Sequence, residues 1–283
     1  QFTIDGGLLV TAVAVDGKNV TLTTSEQVSG EAYVVTVASS VLDTLQNGVD
    51  SEGNTAEFTG FSKPAALLIS EVNASVASGC DLVEFVVTDG GSMGGFQLYE
   101  RDKSILTFDE FSVETGDLIV VHLDSKDKKC NPGGATGETK ATDEQGEAKH
   151  SANYNTAYDW YCKDSGLTNT DNVLTVYDGL GGVVDAVLLT DEPAGSAASG
   201  SEAQAAALGK LGEWLTTDGT VPSGGFVDDS FNANAVVGLK AKGSDKKTGP
   251  SIQRNGTNDT NTKADWGVLD SSFGAANGFV VGP

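Results

Sequence analysis

Short apolar stretches that alternate with polar residues, or are rich in Val, Ile and Thr, recur along most of the chain. Such runs favour β-strands, because successive side chains of a strand point to opposite faces of the sheet. Turns rich in Gly, Asp and Asn separate them, as in an all-β sandwich. The pattern predicts strands at 20–24, 33–37, 57–61, 67–73, 82–87, 96–99, 118–122, 172–177 and 183–189. Ser29 and Gly30 lie between the first two strands and are interpreted as their hairpin loop.

One segment has helical spacing instead. Ser199 and Glu202 match a capping box, with Ser199 as N-cap and Glu202 three residues later. The apolar residues that follow at helical spacing are Ala203, Ala207, Leu208, Leu211, Trp214 and Leu215. We expect this short helix to cover an edge or a face of the sandwich, which would protect an exposed strand edge.

Net charge narrows the classes of partner. The 283 residues include 40 acidic and 17 basic side chains, which gives a formal net charge of -23. A chain this acidic repels phosphate, so neither nucleic acid nor an anionic membrane surface is an expected partner. No apolar run approaches the ~18 residues that a membrane-spanning helix needs, so no membrane insertion is expected.

Three cysteines, Cys80, Cys130 and Cys162, have none of the close spacings of a metal site. Cys130 and Cys162 flank a polar, Gly-rich stretch, which is a suitable place for a disulfide in a secreted protein. We therefore predict a Cys130–Cys162 bridge, with Cys80 either buried or paired outside the chain. The alternative is three buried or unreactive thiols. The chain begins at Gln1, so we expect either a removed leader or a longer precursor.

Signatures of catalysis are missing from the sequence. The two histidines, His122 and His150, accompany no GxSxG motif and no cluster of zinc ligands, and no phosphate-binding loop occurs. The protein is therefore expected to be non-enzymatic and to hold no cofactor, calcium excepted, because calcium takes oxygen ligands from loops. The weak calcium candidates are Asp228, Asp229, Asn232 and Asn234. A solvated loop with charged and polar side chains explains this cluster more simply than a metal site.

The first sixty residues resemble part of a bacterial immunoglobulin-like domain, of the type common in S-layer and other surface proteins. The stretches similar to the later strands of that family are 2–7, 20–24, 33–37 and 54–61. The earlier strands have no counterpart here, so the resemblance implies a partial immunoglobulin-like domain at 1–63. Either Phe2–Val15 rearranges to close the sandwich, or another segment fills the gap, such as a strand donated by a neighbouring copy.

The rest of the chain resembles a bacterial lamin-tail domain. The matching stretches follow the order of that family, and they are Ile69–Val72, Val83–Phe85, Gly94–Leu98, Gly116–Val121, Ser251–Arg254, Asp259–Asn261 and Ala264–Trp266. Phe96 replaces a tryptophan that the family often has. The resemblance implies a second immunoglobulin-like β-sandwich at 64–283, enlarged by insertions near 124–171 and 190–248, of which the second holds the short helix.

In lamin-tail domains the closing Gln-Arg pair lies on a strand beside the opening strand. The resemblance therefore implies a structural role for Arg254, bonded to Glu71 or Glu84. The planar guanidinium of a buried Arg pairs well with a carboxylate. The alternative is an Arg254 that binds a ligand.

These expectations combine into a secreted or cell-surface structural protein that assembles with other copies of itself or with surface proteins. It would be a filament or surface-layer subunit that uses β-strand addition. One alternative is an accessory module that binds a substrate or another ligand for a secreted enzyme such as a nuclease or phosphatase. Another is a glycan- or calcium-binding module, in which aromatic rings stack on a sugar. The rings concerned belong to Tyr154, Tyr158, Trp160 and Tyr161.

Overall fold

The computed structural model describes residues 1–28, 30–50, 52–138, 154–168, 172–190, 201–221, 237–238 and 250–278. β-Strands dominate this part of the chain, accompanied by one α-helix, so the all-β prediction is confirmed. The chain divides into two compact units, Gln1–Lys63 and Pro64–Pro283. None of the helices in the described ranges is long and apolar enough to cross a membrane.

The described residues of the first unit form five strands in two antiparallel sheets. The strands are β1 (Phe2–Ile4), β2 (Val10–Asp16), β3 (Asn19–Thr24), β4 (Ala32–Val37) and β5 (Thr55–Thr59). One sheet has the order β1-β4-β5, and the other consists of β2 and β3.

The hairpin predicted between β3 and β4 is wrong, because β3 pairs with β2. Asp16 lies opposite Asn19, so a tight loop at Gly17 and Lys18 joins the two strands. Gly17 has a φ of 60°, a left-handed conformation that glycine adopts without strain. Closing this short loop costs less chain entropy than pairing β3 with β4 across the longer connection that follows.

The second unit has two large sheets. Its strands are β6 (Ala66–Asn73), β7 (Leu82–Asp89), β8 (Gly91–Ser92), β9 (Gln97–Glu100), β10 (Lys103–Thr107), β11 (Ser112–Val113), β12 (Leu118–His122), β13 (Tyr158–Tyr161), β14 (Asn172–Tyr177), β15 (Val183–Thr190), β16 (Val237–Gly238), β17 (Pro250–Arg254) and β18 (Trp266–Asp270). The six-stranded sheet has the order β13-β12-β7-β6-β17-β18, and the five-stranded sheet has the order β10-β9-β14-β15-β16. β8 and β11 form a small separate pair.

The two large sheets share one apolar core, which makes this unit a β-sandwich. Ile69, Phe85 and Ile119 enter the core from the six-stranded sheet, and Leu98 and Val187 enter it from the other sheet. All five side chains are fully buried. Alternate side chains of β6, β7 and β9 therefore point into this core, because each strand turns one face of its sheet towards it.

The outer face of the six-stranded sheet is covered as well. Val120 of β12 and Leu82 of β7 pack there against Ala157 and Phe273, in a smaller apolar cluster. Residues 118–121 of β12 are all apolar because both faces of this strand are covered.

The helix, α1 (Ser201–Leu211), packs against β14. β14 is an internal strand, so the helix covers a face of its sheet and not an edge. The predicted apolar side of the helix is only partly correct, because Leu208 is buried but Leu211 is 64% exposed. The buried residues of the helix are Ser201, Ala205, Leu208 and Gly209. The Gln204 amide also faces the sheet, where it donates a hydrogen bond to the Tyr177 hydroxyl at 2.8 Å. The predicted N-cap, Ser199, lies outside the described residues.

Candidate functional site

The first unit exposes an apolar surface on its two-stranded sheet. Val13 lies opposite Leu22, and Val15 lies opposite Val20, so these four side chains share one face, the hairpin face. Val13, Val15 and Val20 are 48%, 71% and 45% exposed. A sheet face made only of aliphatic side chains normally packs against a second layer.

The three-stranded sheet of this unit is also incompletely covered. Its apolar face includes Ile4 of β1, Tyr33 and Val35 of β4 and Phe58 of β5. Tyr33 stacks on Phe58, with ring centroids 5.5 Å apart. Among the described residues of the first unit, Leu8 and Tyr33 are the only apolar side chains that are buried. The unit therefore has a very small core of its own.

In the second unit, Arg254 is buried on the core side of the six-stranded sheet. Ile252 of the same strand points into the apolar core, and Arg254, two residues later, faces the same side. One guanidinium nitrogen, Nη2, donates to both carboxylate oxygens of Asp185, at 2.7 and 2.6 Å. Nε donates to the Ile69 carbonyl at 2.8 Å, and the guanidinium carbon lies 4.5 Å from the ring centroid of Trp266.

This ion pair links the two sheets of the sandwich, because Arg254 lies on β17 and Asp185 lies on β15. Asp185 also accepts a hydrogen bond from the Ile69 amide at 2.6 Å. The ion pair thus satisfies the backbone of Ile69, whose N–H bonds to Asp185 and whose carbonyl bonds to Arg254. Ile69 lies beyond the last residue of β6 that pairs with β17. The structural role predicted for Arg254 therefore fits its burial and contacts.

The predicted partners of Arg254, Glu71 and Glu84, are wrong. The pleat of β17 places Arg254 on the core face, whereas the two glutamates lie on the outer face of the sheet. A β-bulge between Ile69 and Glu71 turns Glu71 to that outer face. The sequence does contain a signal for the true partner, because Asp185 is a lone carboxylate within the predicted apolar strand 183–189.

On the outer face, Glu71 and Glu84 lie directly opposite each other on β6 and β7. Both are 0% exposed. The Ser251 hydroxyl donates to Glu71 at 2.6 Å, and the Ser70 hydroxyl donates to Glu84 at 2.6 Å. No Lys, Arg or His in the part of the chain that the structure describes forms an ion pair with either carboxylate.

Residues 271–278, the strap, cross this outer face and bind both glutamates. The Ser272 amide donates to Glu71 at 2.9 Å, and the Gly274 amide donates to Glu84 at 2.7 Å. The side-chain amide of Asn277 donates to the Ser70 carbonyl at 2.9 Å. The strap therefore removes the two carboxylates from water.

Desolvation dominates the ionisation of this pair. Burial raises the pKa of Glu84 to about 8, although the hydrogen bonds from Ser70 and Gly274 lower it in part, and the charge of Glu71 raises it further. Burial also raises the pKa of Glu71. At neutral pH the Glu84 carboxyl is therefore mostly protonated.

A pocket of about 210 Å³ opens beside Glu84, between the outer face of the sheet and the strap. Ser70 and Glu84 contribute polar atoms to its wall, and Val86 and Leu118 contribute apolar ones. Residues 275–277 of the strap form part of its rim. The pocket thus combines one buried carboxyl group with an aliphatic wall.

The predicted Cys130–Cys162 disulfide is wrong, because the bridge joins Cys80 to Cys130. Cys80 precedes β7, and the loop that follows β12 brings Cys130 next to it. Both are buried together with Val76 in a small cluster of their own. The prediction that the chain contains a disulfide is confirmed. The partner of Cys130 is Cys80, the cysteine that the sequence left without a partner in the chain.

Cys162 is free and buried. It directly follows β13, where its amide donates to the His122 carbonyl, and its side chain lies in the main core. The thiol donates to the Ile105 carbonyl at 2.9 Å, and burial raises its pKa to about 11. The side chain of Cys162 therefore points into the main core, whereas Cys130 lies in the small cluster with Cys80 and Val76.

Of the four aromatic residues predicted to bind a sugar, Trp160 and Tyr161 are buried inside the unit, and Tyr154 and Tyr158 are half-buried. Trp160 is 5% exposed and stacks on Phe111 at 4.9 Å between centroids. Tyr161 is 8% exposed and stacks on His122 at 4.7 Å. These two rings therefore offer no open face for a sugar.

The calcium candidates at 228–234 lie outside the described residues. Within the residues that the structure does describe, no group of three or more His, Cys, Asp or Glu side chains is arranged to hold a metal ion.

Residues 65–268 match a family model described as a protein second domain. The match begins beside the boundary between the two units and ends within β18. It therefore includes the Arg254–Asp185 ion pair and both outer-face glutamates. No curated protein matches the chain.

Proposed function

We propose that this chain, which belongs through residues 65–268 to the family described as a protein second domain, is a non-enzymatic structural protein of the cell surface or the extracellular space. It assembles with further copies of itself by β-strand addition at the first unit. The observation that carries this proposal is the exposed hairpin face, because an aliphatic sheet face in water favours association.

Strand addition would complete the smaller sheet of the first unit. A two-stranded sheet is marginal in water, and three strands with an apolar face are the smallest arrangement that is stable by itself. Neither β2 nor β3 has a second strand partner among the described residues. A strand from another copy that pairs with one of these edges would supply the third strand and shield part of the hairpin face. Repeated from copy to copy, this contact would build a filament rather than a closed dimer.

A second copy is the proposed occupant because the hairpin face is uncharged. The chain has a net charge of -23, and a partner recruited by that charge would bind acidic residues instead of four aliphatic ones. Copies still repel each other over long distances, so assembly should strengthen with salt. At ~0.1 M salt the Debye length falls to about 10 Å, which screens most of this repulsion.

The disulfide supports the proposed location. Stable disulfides form in oxidising compartments, such as the exterior of the cell, and are rare where thiols are kept reduced. The Cys80–Cys130 bridge is buried, so it is a structural bond rather than an exposed, exchangeable one.

Replacement of Val15 with Lys tests the proposal. Val15 is 71% exposed, so a charge at this position interferes with docking while the monomer keeps its fold. Thr21→Lys is the matched control. Thr21 lies opposite Ala14 on the other face of the same hairpin, so this substitution adds the same charge there. Light scattering after size-exclusion chromatography should show oligomers for the native chain and T21K, and monomers for V15K. A folded native monomer at micromolar concentration and at every salt concentration would contradict the proposal, as would equal behaviour of the two variants.

A further inference from the structure

The strap is held to the outer face mainly by polar contacts. Its side chains are small, apart from those of Phe273 and Asn277. Phe273 is its one large apolar side chain, and it packs in the small cluster with Leu82, Val120 and Ala157. Little apolar surface therefore opposes detachment of the strap. A segment of this kind can open locally while the sandwich behind it stays folded.

The polar contacts of the strap converge on two carboxyl groups. The amide and the hydroxyl of Ser272 both donate to Glu71, at 2.9 Å each. The Gly274 amide donates to Glu84 at 2.7 Å. The ionisation of these two glutamates therefore affects most of the interactions that hold the strap down.

The closed strap leaves no room for two negative charges. Glu71 and Glu84 lie opposite each other, both are 0% exposed, and no described cation pairs with them. Two carboxylates this close in a dry site repel each other, so one of them keeps a proton. With the proton on Glu84, its Oε1 donates to the Ser70 hydroxyl oxygen across the 2.6 Å contact, and its Oε2 still accepts from Gly274. The neutral form is thus fully hydrogen-bonded beneath the closed strap.

We propose that the strap is a pH-sensitive latch, which stays closed while Glu71 and Glu84 share a proton and is released from the outer face when that proton is lost. Water reaches both carboxylates once the strap has lifted, so the open state accommodates charges that the closed state excludes. The latch lies in the second unit and does not depend on the hairpin face. Its test is therefore separate from that of assembly by strand addition.

The surroundings of Glu84 oppose its ionisation. Glu71 is the titratable group that faces it across the sheet. The remaining neighbours on the outer face are neutral, namely Val120 of β12, Ser251 and Gln253 of β17, residues 255–257 and the strap itself. The charged groups farther away are bound to a partner or acidic, and they are Arg254 with Asp185 on the core face, His122 with Asp159 on β12 and β13, and Glu114 and Asp117 in the turn before β12.

The latch should open as the pH rises. Burial raises the pKa of Glu84 from 4.5 to about 8 in the closed state, whereas water gives it the ordinary value in the open state. The closed strap therefore binds more protons than the open strap between pH 4.5 and pH 8. Within this window the opening constant should rise about tenfold per pH unit, and it should level off above pH 8. The expected increase between pH 6 and pH 8 is roughly 50-fold.

Hydrogen exchange of the Ser272 and Gly274 amides, followed by NMR on the native protein, measures this opening. Each exchange rate is divided by the rate of an unstructured peptide of the same sequence at the same pH, which leaves the opening constant. This constant should increase roughly 50-fold from pH 6 to pH 8. A constant that does not change with pH would overturn the proposal. So would equal opening constants for the strap and for the β7–β12 ladder, because the strap would then open only when the whole unit unfolds.

Three variants test whether the glutamates control the latch. Glu84→Gln is neutral at every pH and keeps an acceptor for the Gly274 amide, so its opening constant should change less than about threefold between pH 6 and pH 8. Glu57→Gln is the matched control, because it removes one charge from an exposed residue of β5, and it should behave as the native protein does.

Asn277→Ala keeps the test valid even if E84Q folds poorly. It removes the hydrogen bonds from the Asn277 amide to the Ser70 and Arg254 carbonyls and leaves both glutamates in place. Its opening constant should be about threefold or more above that of the native protein at each pH, with the native dependence on pH. A native-like pH dependence in folded E84Q, or a flat one in N277A, would refute the latch.

Discussion

Replacement of Arg254 with Met should destabilise the second unit by about 3–5 kcal/mol. The change removes both hydrogen bonds to Asp185, the bond to the Ile69 carbonyl and the contact with Trp266. The side chains of Arg254 and Asp185 are each 1% exposed, so water cannot replace the lost partner. Most of the cost comes from the carboxylate of Asp185, which stays buried without its cation.

A double-mutant cycle separates the ion pair from its surroundings. Asp185→Asn keeps an acceptor near the Ile69 amide but removes the charge, and it should cost about 2–4 kcal/mol. Asp259 lies 3.3 Å from the guanidinium, but its side chain is 32% exposed, so it compensates only in part. The double variant should cost less than the sum of the two single changes by about 1–3 kcal/mol.

Urea unfolding followed by tryptophan fluorescence is the assay. The chain has three tryptophans, and all of them lie in the second unit, so the signal reports that unit alone. Arg101→Met is the matched control, because Arg101 is the other arginine of the chain and its pair with Glu100 is partly exposed. It should cost less than about 1 kcal/mol. If Arg254→Met costs under ~0.5 kcal/mol, or if the two single changes are additive, the ion pair does not stabilise the sandwich.

Three further predictions concern other parts of the second unit. Non-reducing peptide mapping should recover Cys80 and Cys130 in one linked peptide, and separate peptides would disprove the bridge. Replacement of both cysteines with Ser should lower the free energy of unfolding by about 4 kcal/mol, the value that the chain-entropy model gives for a separation of 50 residues. Because burial raises the pKa of Glu84 from 4.5 to about 8, the folded state binds more protons than the unfolded state between these values, and stability falls as pH rises through that window. Glu84→Gln should therefore remove up to about 1.4 kcal/mol per pH unit of that decline, measured by urea unfolding at pH 5 to 8, and an unchanged slope would count against it. A Cβ at Gly137 would lie 2.7 Å from the indole ring of Trp160, whereas a Cβ at Gly133 would meet nothing within 4 Å. Gly137→Ala should therefore lower the unfolding free energy by about 1–3 kcal/mol more than Gly133→Ala does. Equal effects of the two changes would argue against this packing.

Strand positions were predictable from the sequence because they depend on local alternation. The strand predicted at 172–177 is β14, and the strand predicted at 118–122 is β12. Each has a burial pattern that its own residues determine. The division near 62–64 likewise coincides with a local change in composition.

Strand pairing was less predictable, because it depends on residues far apart in the chain. β6 pairs with β17 across about 180 residues, and an apolar pattern fits many partners equally well. In the first unit the pattern indicated β3 and β4 correctly, yet the shorter loop at Gly17 decides that β3 pairs with β2.

The same limit applies to the candidate site. The predicted apolar strands contain three lone carboxylates that could pair with Arg254, namely Glu71, Glu84 and Asp185. The alternation of β17 places Arg254 and Ile252 on one side, but the bulge at Ser70 that turns Glu71 away is visible only in the folded sheet. Disulfide pairing has the same difficulty, since spacing along the chain does not show which thiols meet in space.

The order β6-β17-β18 determines how the second unit resists mechanical tension. β6 and β18 both run antiparallel to β17, so a pull that enters at Ala66 and leaves beyond Asp270 acts at opposite ends of the ladder. The hydrogen bonds between the strands are then loaded together in shear, whereas a hairpin pulled from one end opens one bond at a time. The β6–β17 ladder has only two residue pairs, so the bond from Arg254 to the Ile69 carbonyl takes a share of the load. The strap doubles back over the sheet and is held there by its hydrogen bonds to Glu71 and Glu84, so it detaches from the outer face before the β6–β17 ladder is loaded.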